Sequence, residues 1–212
     1  YVYWHIFTYF APYKGTTMHK KLLVTAYFVI AALLQTLAGN FPLSFFAFPL
    51  NVIVAVIWIY SLWRLYKEGN KLPLTRFLLS SRTSVLSILL LIGGSLVIGL
   101  FPQLSEAEAD SIPGVLASLG CYNFMISWIF IAILFLLLSN LAMVIIHAFY
   151  HCVPAKKRFI LNHLGLWLAL FAGFFGSSDV QTLRIPLYAG QPGREAYSMD
   201  GKAYYLDYEL ER

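Results

Sequence analysis

Of 212 residues, 59% are hydrophobic and 12% charged, and the mean hydropathy is +0.70. Soluble globular chains carry roughly a quarter charged residues, so this balance excludes a conventional soluble domain and points to an all-α polytopic membrane protein. The net charge of +5 is no nucleic-acid signature, because the bases cluster in loops beside apolar segments.

The chain starts at Tyr1 and stops at Arg212 inside a predicted strand, so it reads as a fragment; no charged start with a small-residue cleavage site marks a cleavable signal. Residues 1–18 are aromatic-rich, broken by Pro12 and Gly15, and read as an interfacial belt. Residues 19–66 read as a transmembrane hairpin. Lys20 and Lys21 open a first span over 22–38, Gly39-Asn40-Phe41-Pro42 turns the chain, and a second span over 45–65 closes on Trp63, Arg64 and Lys67. Gln35 and Thr36 are placed to hydrogen-bond across helices or to reach the interface. Pro49 falls early in the second span, where a missing amide is tolerated.

A loop with Arg64, Lys67, Lys71, Arg76 and Arg82 against the single acid Glu68 leads to a third span over 84–101. There Ser95 and Gly99 form a small-xxx-small pair suited to close helix contact. The following loop holds Glu106, Glu108 and Asp110 and no base. A fourth span over 127–149 carries Asn140, read as interhelical glue. The loop after it holds His147, His151, Cys152, Lys156, Lys157 and Arg158, and a fifth span occupies 156–176. By the positive-inside rule the N-terminus and the loops 64–82 and 151–158 are cytoplasmic. Five spans then place the tail outside, on the extracytoplasmic face. In that tail, 177–212, Leu206, Tyr208 and Leu210 alternate with Asp207, Glu209 and Glu211, and Asp200-Gly201 is a hairpin signal. These mark the start of an extracytoplasmic β-rich domain, cut off at residue 212, or alternatively a flexible charged tail.

On this topology Cys121 and Cys152 face opposite sides and cannot pair. No CxxCH occurs, so the chain carries no covalent c-type haem of its own. All five histidines (His5, His19, His147, His151 and His163) fall on the basic side. His147 and His151, four apart, read as solvated interfacial residues, a partial zinc site or a haem contact; zinc needs three or four ligands, and Pro154 interrupts the run. No phosphate loop, carboxylate pair or Ser/His/Asp set is present, so no catalytic residue is assigned.

The stretch KKRFILNHLGLWLALFAGFFG (156–176) combines a cationic head with an imidazole about one turn inside an apolar helix. Desolvation keeps such a ring neutral and leaves one nitrogen free for a metal. At 100° per residue His163, Trp167, Leu170 and Phe174 share one side, and Gly165, Ala169 and Gly173 lie nearly opposite. The small stripe suits close helix approach, and the aromatic side suits a flat apolar ligand such as haem. The plainer alternative is an interfacial histidine that hydrogen-bonds a neighbouring helix, with aromatics facing lipid.

Three stretches taken in order resemble the ResB (CcsB) family of cytochrome c biogenesis proteins: FLLSSRTSVLSILLLIGGSLVIGLFPQ (77–103), SWIFIAILFLLLSNLAMVII (127–146) and LNHLGLWLALFAGFFGSSDVQTLRIPLYAGQ (161–191). The resemblance implies a three-helix membrane core over 77–176. It also implies a CcsA-type partner, separate or fused downstream, and haem b carried non-covalently across the membrane for attachment to apocytochrome c. His163, in the H-L-G-L motif, is implied as an axial ligand of the haem iron, with Trp167 and Phe174 as weaker candidates for packing on the macrocycle. The hairpin at 19–66 is additional to the family pattern. The large outer domain, the Trp-rich haem loop and the outer histidines of the partner half are missing, so the chain is expected to be a component of a haem lyase, not a complete enzyme. The alternatives are a b-type cytochrome or quinol-oxidising membrane anchor, which needs histidines near both faces, and a non-catalytic scaffold.

Overall fold

The structure is a computed structural model that describes residues 17–43, 47–69, 72–104, 108–109, 111–151, 157–179, 183–185, 195–198 and 203–205. Helices dominate it: α1 (Thr17–Ala38), α2 (Leu50–Lys67), a short α3 (Pro73–Leu78), α4 (Ser81–Leu100), a single-turn α5 (Val115–Ser118), α6 (Trp128–Tyr150) and α7 (Lys157–Phe175). Among the described residues α2, α4, α6 and α7 are long and apolar enough to cross a membrane; the apolar stretch Leu22–Ala38 of α1 is shorter. Their outward faces are apolar as well, with Leu37, Leu100 and Leu161 among the most exposed side chains. Water does not tolerate such surfaces over so large an area, whereas hydrocarbon does.

Local chemistry sets the helix limits. The second helix begins at Leu50, five residues later than the hydropathy alone suggests, because Pro49 lacks an amide and restricts the residue before it. Pro73 occupies the first turn of α3, where that loss costs nothing. Ser127 caps α6: its Oγ accepts from Phe130 N at 3.1 Å, an arrangement worth about 1 kcal/mol.

The hub is α6, which is 61% buried along its apolar window while α2, α4 and α7 are 17–22% buried. It packs against α1, α2, α3, α4 and α7, with Leu138 and Met143 fully enclosed. Asn140 Nδ2 donates to the Leu78 carbonyl and so fastens the end of α3 to the hub. Gln35 does the cross-helix work expected of it: its Oε1 accepts from Trp128 N at 2.9 Å, and its Nε2 donates to Asn40 Oδ1 at 3.0 Å. The helices predicted as a hairpin, α1 and α2, each pack on α6 and leave a cavity between them.

Small-residue faces behave differently from one another. In α4 it is Gly94, not the Ser95/Gly99 pair, that admits a close neighbour: a Cβ there would stand 3.3 Å from both Phe124 and Phe130. A Cβ on Gly99, Gly165 or Gly173 would meet nothing within 4 Å among the described residues.

At the end of the bundle away from the bases, a 3-10 turn (Cys121–Ile126) folds across the helix ends. Phe41 N donates to Ile126 O at 2.8 Å, Leu104 N to Tyr122 O at 2.8 Å, and Phe124 N to Gln103 Oε1 at 2.9 Å. Asp179, just past α7, accepts from Phe48 N at 2.9 Å and from Asn51 Nδ2 at 2.6 Å, and Asn51 also donates to Phe175 O. Three short strands follow: β1 (Leu183–Arg184), β2 (Glu195–Ser198) and β3 (Ala203–Tyr205), antiparallel in the order β1-β2-β3. The Asp200-Gly201 hairpin signal lies outside the described residues, but the strands on either side of it pair, Tyr197 opposite Ala203. The alternating stretch 206–211 and the aromatic segment 1–16 also lie outside them.

Candidate functional site

The site starts with the first two turns of α7. Lys157 and Arg158 at its head are exposed, and one turn further on Phe159 and His163 stand above one another. Their rings stack with centroids 3.8 Å apart and 29° between planes. His163 Nδ1 lies 2.8 Å from the Phe159 carbonyl oxygen. A carbonyl only accepts, so Nδ1 carries a proton, and in the neutral ring the lone pair then sits on Nε2. Among the described residues Nε2 has no hydrogen-bond partner. The ring is half-buried, at the rim of the face that α7 turns towards α6.

Trp167 and Phe174 share that side of α7, as the periodicity predicts, but sit deeper. Both are buried. Trp167 Nε1 donates to the Leu138 carbonyl of α6 at 3.1 Å. Its ring stacks on Phe171 at 4.6 Å and on Trp58 of α2 at 6.3 Å. Phe174 meets Phe135 edge-to-face at 5.2 Å. These rings form an aromatic seam joining α2, α6 and α7, at separations where such pairs contribute beyond simple burial. The face of the Trp167 ring is taken by protein neighbours. The open approach to His163 is therefore its exposed flank, beside Phe159 and Leu166.

A second group of rings occupies the same basic end. Tyr66 Oη and His147 Nδ1 are 3.2 Å apart, and the His147 and His151 rings lie 4.4 Å apart. His151 Nδ1 donates to the His147 carbonyl at 3.1 Å. Trp63 Nε1 donates to Tyr150 Oη at 3.1 Å, with Lys67 Nζ 4.9 Å above the Trp63 ring. Sequence spacing pairs the two histidines but is silent on Tyr66, which reaches them only because α2 and α6 run side by side. Among the described residues no three His, Cys, Asp or Glu side chains gather to hold a metal, and Cys152 lies outside them.

On the opposite end, burial pushes the Cys121 thiol up from its ordinary range, which suits an inert small hydrophobe more than a nucleophile.

Comparison with family models, with curated proteins and with solved structures returns no match. The fold itself defines a class: a helical protein with, among the described residues, four apolar helices compatible with multi-pass insertion in a membrane, built on one buried hub.

Proposed function

We propose that this chain is the ResB-like half of a machine that carries haem across the bacterial inner membrane and presents it for covalent attachment to apocytochrome c. The observation that supports it is the His163 imidazole. Its Nδ1–H is held by the Phe159 carbonyl, which orients the ring and leaves Nε2 as a ligand, the arrangement metal-binding histidines commonly adopt. Haem here is cargo, and Nε2 grips its iron from the exposed flank of α7. Trp167 and Phe174 support the helix behind the ligand through the aromatic seam.

In this reading α1 is a fifth span, the basic ends are cytoplasmic, and β1–β3 open a periplasmic β-rich domain. The hairpin at 19–66 is an addition to the three-helix core at 77–176. A CcsA-type partner packs on the bundle. The exposed small stripe of Gly165, Ala169 and Gly173 suits close approach by one of its helices.

The test is a haem spectrum of the full-length protein purified with its partner, for wild type and His163→Ala. Loss of the haem Soret band in the variant, with the partner still bound, is expected. Unchanged haem content removes His163 as the ligand. Loss of cytochrome c maturation with normal quinol oxidation separates this function from a quinol-oxidising anchor.

A further inference from the structure

The exposed flank of α7 beside His163 carries more than the imidazole. Counted from His163 at ~100° per residue, Phe159 and Leu166 lie within ~60° on one side, with Asn162 at ~100° and Arg158 at ~140° on that same side. All four are exposed, while Ile160 and Trp167, on the other side of the ring, are buried. Asn162 and Arg158 are four residues apart and so stand one above the other. Among the described residues neither side chain has a hydrogen bond or an ion pair.

We infer that Arg158 and Asn162 bind the propionate carboxylates of the haem that His163 ligates, and so fix which edge of the cargo faces the basic end of the bundle. This rests on the haem reading given above and adds to it the two residues that select and orient the molecule. Three observations carry it. The first is position. Apolar surface, Phe159 and Leu166, runs from the imidazole to a polar pair. That order matches a molecule with a metal centre, greasy faces and one acidic edge. Arg158 begins about 7.5 Å nearer the basic end than His163, at ~1.5 Å per residue. The carboxylates of a porphyrin hang from one edge at a distance of that order from the iron, within reach of a flexible arginine.

The second is the amide. A carboxamide one turn inside an apolar helix, turned away from the bundle, is unfavourable in hydrocarbon unless something pairs with it. Elsewhere in the bundle Asn51, Asn140 and Gln35 are tied to backbone groups of neighbouring helices. The positive-inside rule accounts for a base at the head of α7, but not for Asn162.

The third is charge. No acid stands in the first turn of α7, and no carboxylate among the described residues pairs with Arg158. A guanidinium binds a carboxylate through two parallel N–H donors, and the Asn162 amide adds neutral donors beside it.

The experiment titrates haem, or haem dimethyl ester, into the full-length protein purified with its partner and stripped of haem. The ester keeps the iron and the ring but has no carboxylate. Absorbance reports affinity and, through the Soret position, the axial ligand. Haem is expected to bind about tenfold or more tighter than the ester, the difference that a charge-assisted pair makes. Arg158→Gln combined with Asn162→Leu, both at exposed positions, is expected to bring haem down to the ester's affinity. The ester's own affinity and the Soret position are expected to stay as they were. Lys157→Gln removes a charge from the same turn but stands ~120° from His163 on the other side, and is expected to leave haem binding unchanged. Ester bound as tightly as haem, equal loss of both ligands in the double variant, or an effect of Lys157→Gln as large as that of Arg158→Gln alone overturns the inference. Failure of the haem reading has its own signature: no haem binds, or His163→Ala binds it like the wild type, and both proposals fall. A failed anchor instead leaves His163-dependent binding intact.

Discussion

His163 lies flat on Phe159, ring centroids 3.8 Å apart, while its Nδ1 donates to the Phe159 carbonyl at 2.8 Å. One residue thus fixes both the plane and the tautomer of the imidazole. The carbonyl belongs to the backbone and survives any substitution of the side chain. On the proposed haem reading, Phe159→Ala is therefore expected to keep haem binding, at an affinity lowered by about tenfold or less, because it removes only the stacking ring. His163→Gly is expected to lose haem and to regain it with added imidazole, which fills the vacated space. Titration of haem into the partner complex, followed by absorbance, checks both. Failure of imidazole to restore the spectrum argues against direct ligation.

Asn140 joins α6 to the last carbonyl of α3 in an apolar setting. Asn140→Leu keeps the volume and leaves the Leu78 carbonyl without that donor, which should cost roughly 1 kcal/mol, within the range measured for interhelical hydrogen bonds in membranes. A fall in thermal stability in detergent, with the helical circular dichroism unchanged at low temperature, is the expected result.

Gly120 has φ +75°, and a Cβ there would stand 2.8 Å from Gln35 Nε2 and 3.0 Å from Ser127 Cβ. Gly120→Ala is thus expected to lose about 2–4 kcal/mol, from the left-handed backbone and from displacing Gln35 off Trp128 N. Gln35→Ala removes the obstacle. The double variant should accordingly be less destabilised than the two single variants summed, which a thermal double-mutant cycle reads directly.

Cys121 provides a pH test. Its thiol is pushed up by burial, so the thiolate that reacts with maleimide is scarcer at neutral pH than in a free cysteine. The sign follows: modification should be slow at pH 7 and climb to its plateau only above the ordinary thiol range. Rates measured on a Cys152→Ser variant across pH isolate this group. A midpoint at or below that of a free thiol contradicts the partly buried setting.

Asp179 and Asn51 tie the end of α7 to the start of α2. Asn51→Leu should be more harmful than Asp179→Ala, because it leaves the Phe175 carbonyl without its Asn51 donor at a buried position, at a cost of about 1–3 kcal/mol. Limited proteolysis near residue 179, faster in both variants, is the measurement.

Much of this architecture is legible along the chain. Hydropathy places α2, α4, α6 and α7 within a few residues, and Pro49, Pro73 and Ser127 explain where three helices begin. The place of His163 was legible too, since an imidazole one turn inside an apolar helix stands out. Its tautomer was not, because that depends on a carbonyl four residues earlier being in reach. Tyr66 beside His147, and Trp58 stacked on Trp167, join residues 81 and 109 positions apart. No local pattern marks such partners.

By itself the sequence determined that the helices are apolar, where they start and stop, and that their bases gather at one end, since these follow from composition, caps and charge. Which helix is the hub, and which face of each helix turns inward, only the tertiary structure decided. The reason lies in the solvent. When the surroundings are as greasy as the interior, hydrophobic periodicity no longer separates inside from outside. Direction then comes from the few polar contacts and close fits, such as Asn140 on Leu78, Gln35 on Trp128 and Gly94 under Phe124 and Phe130, that exist only once the helices have met.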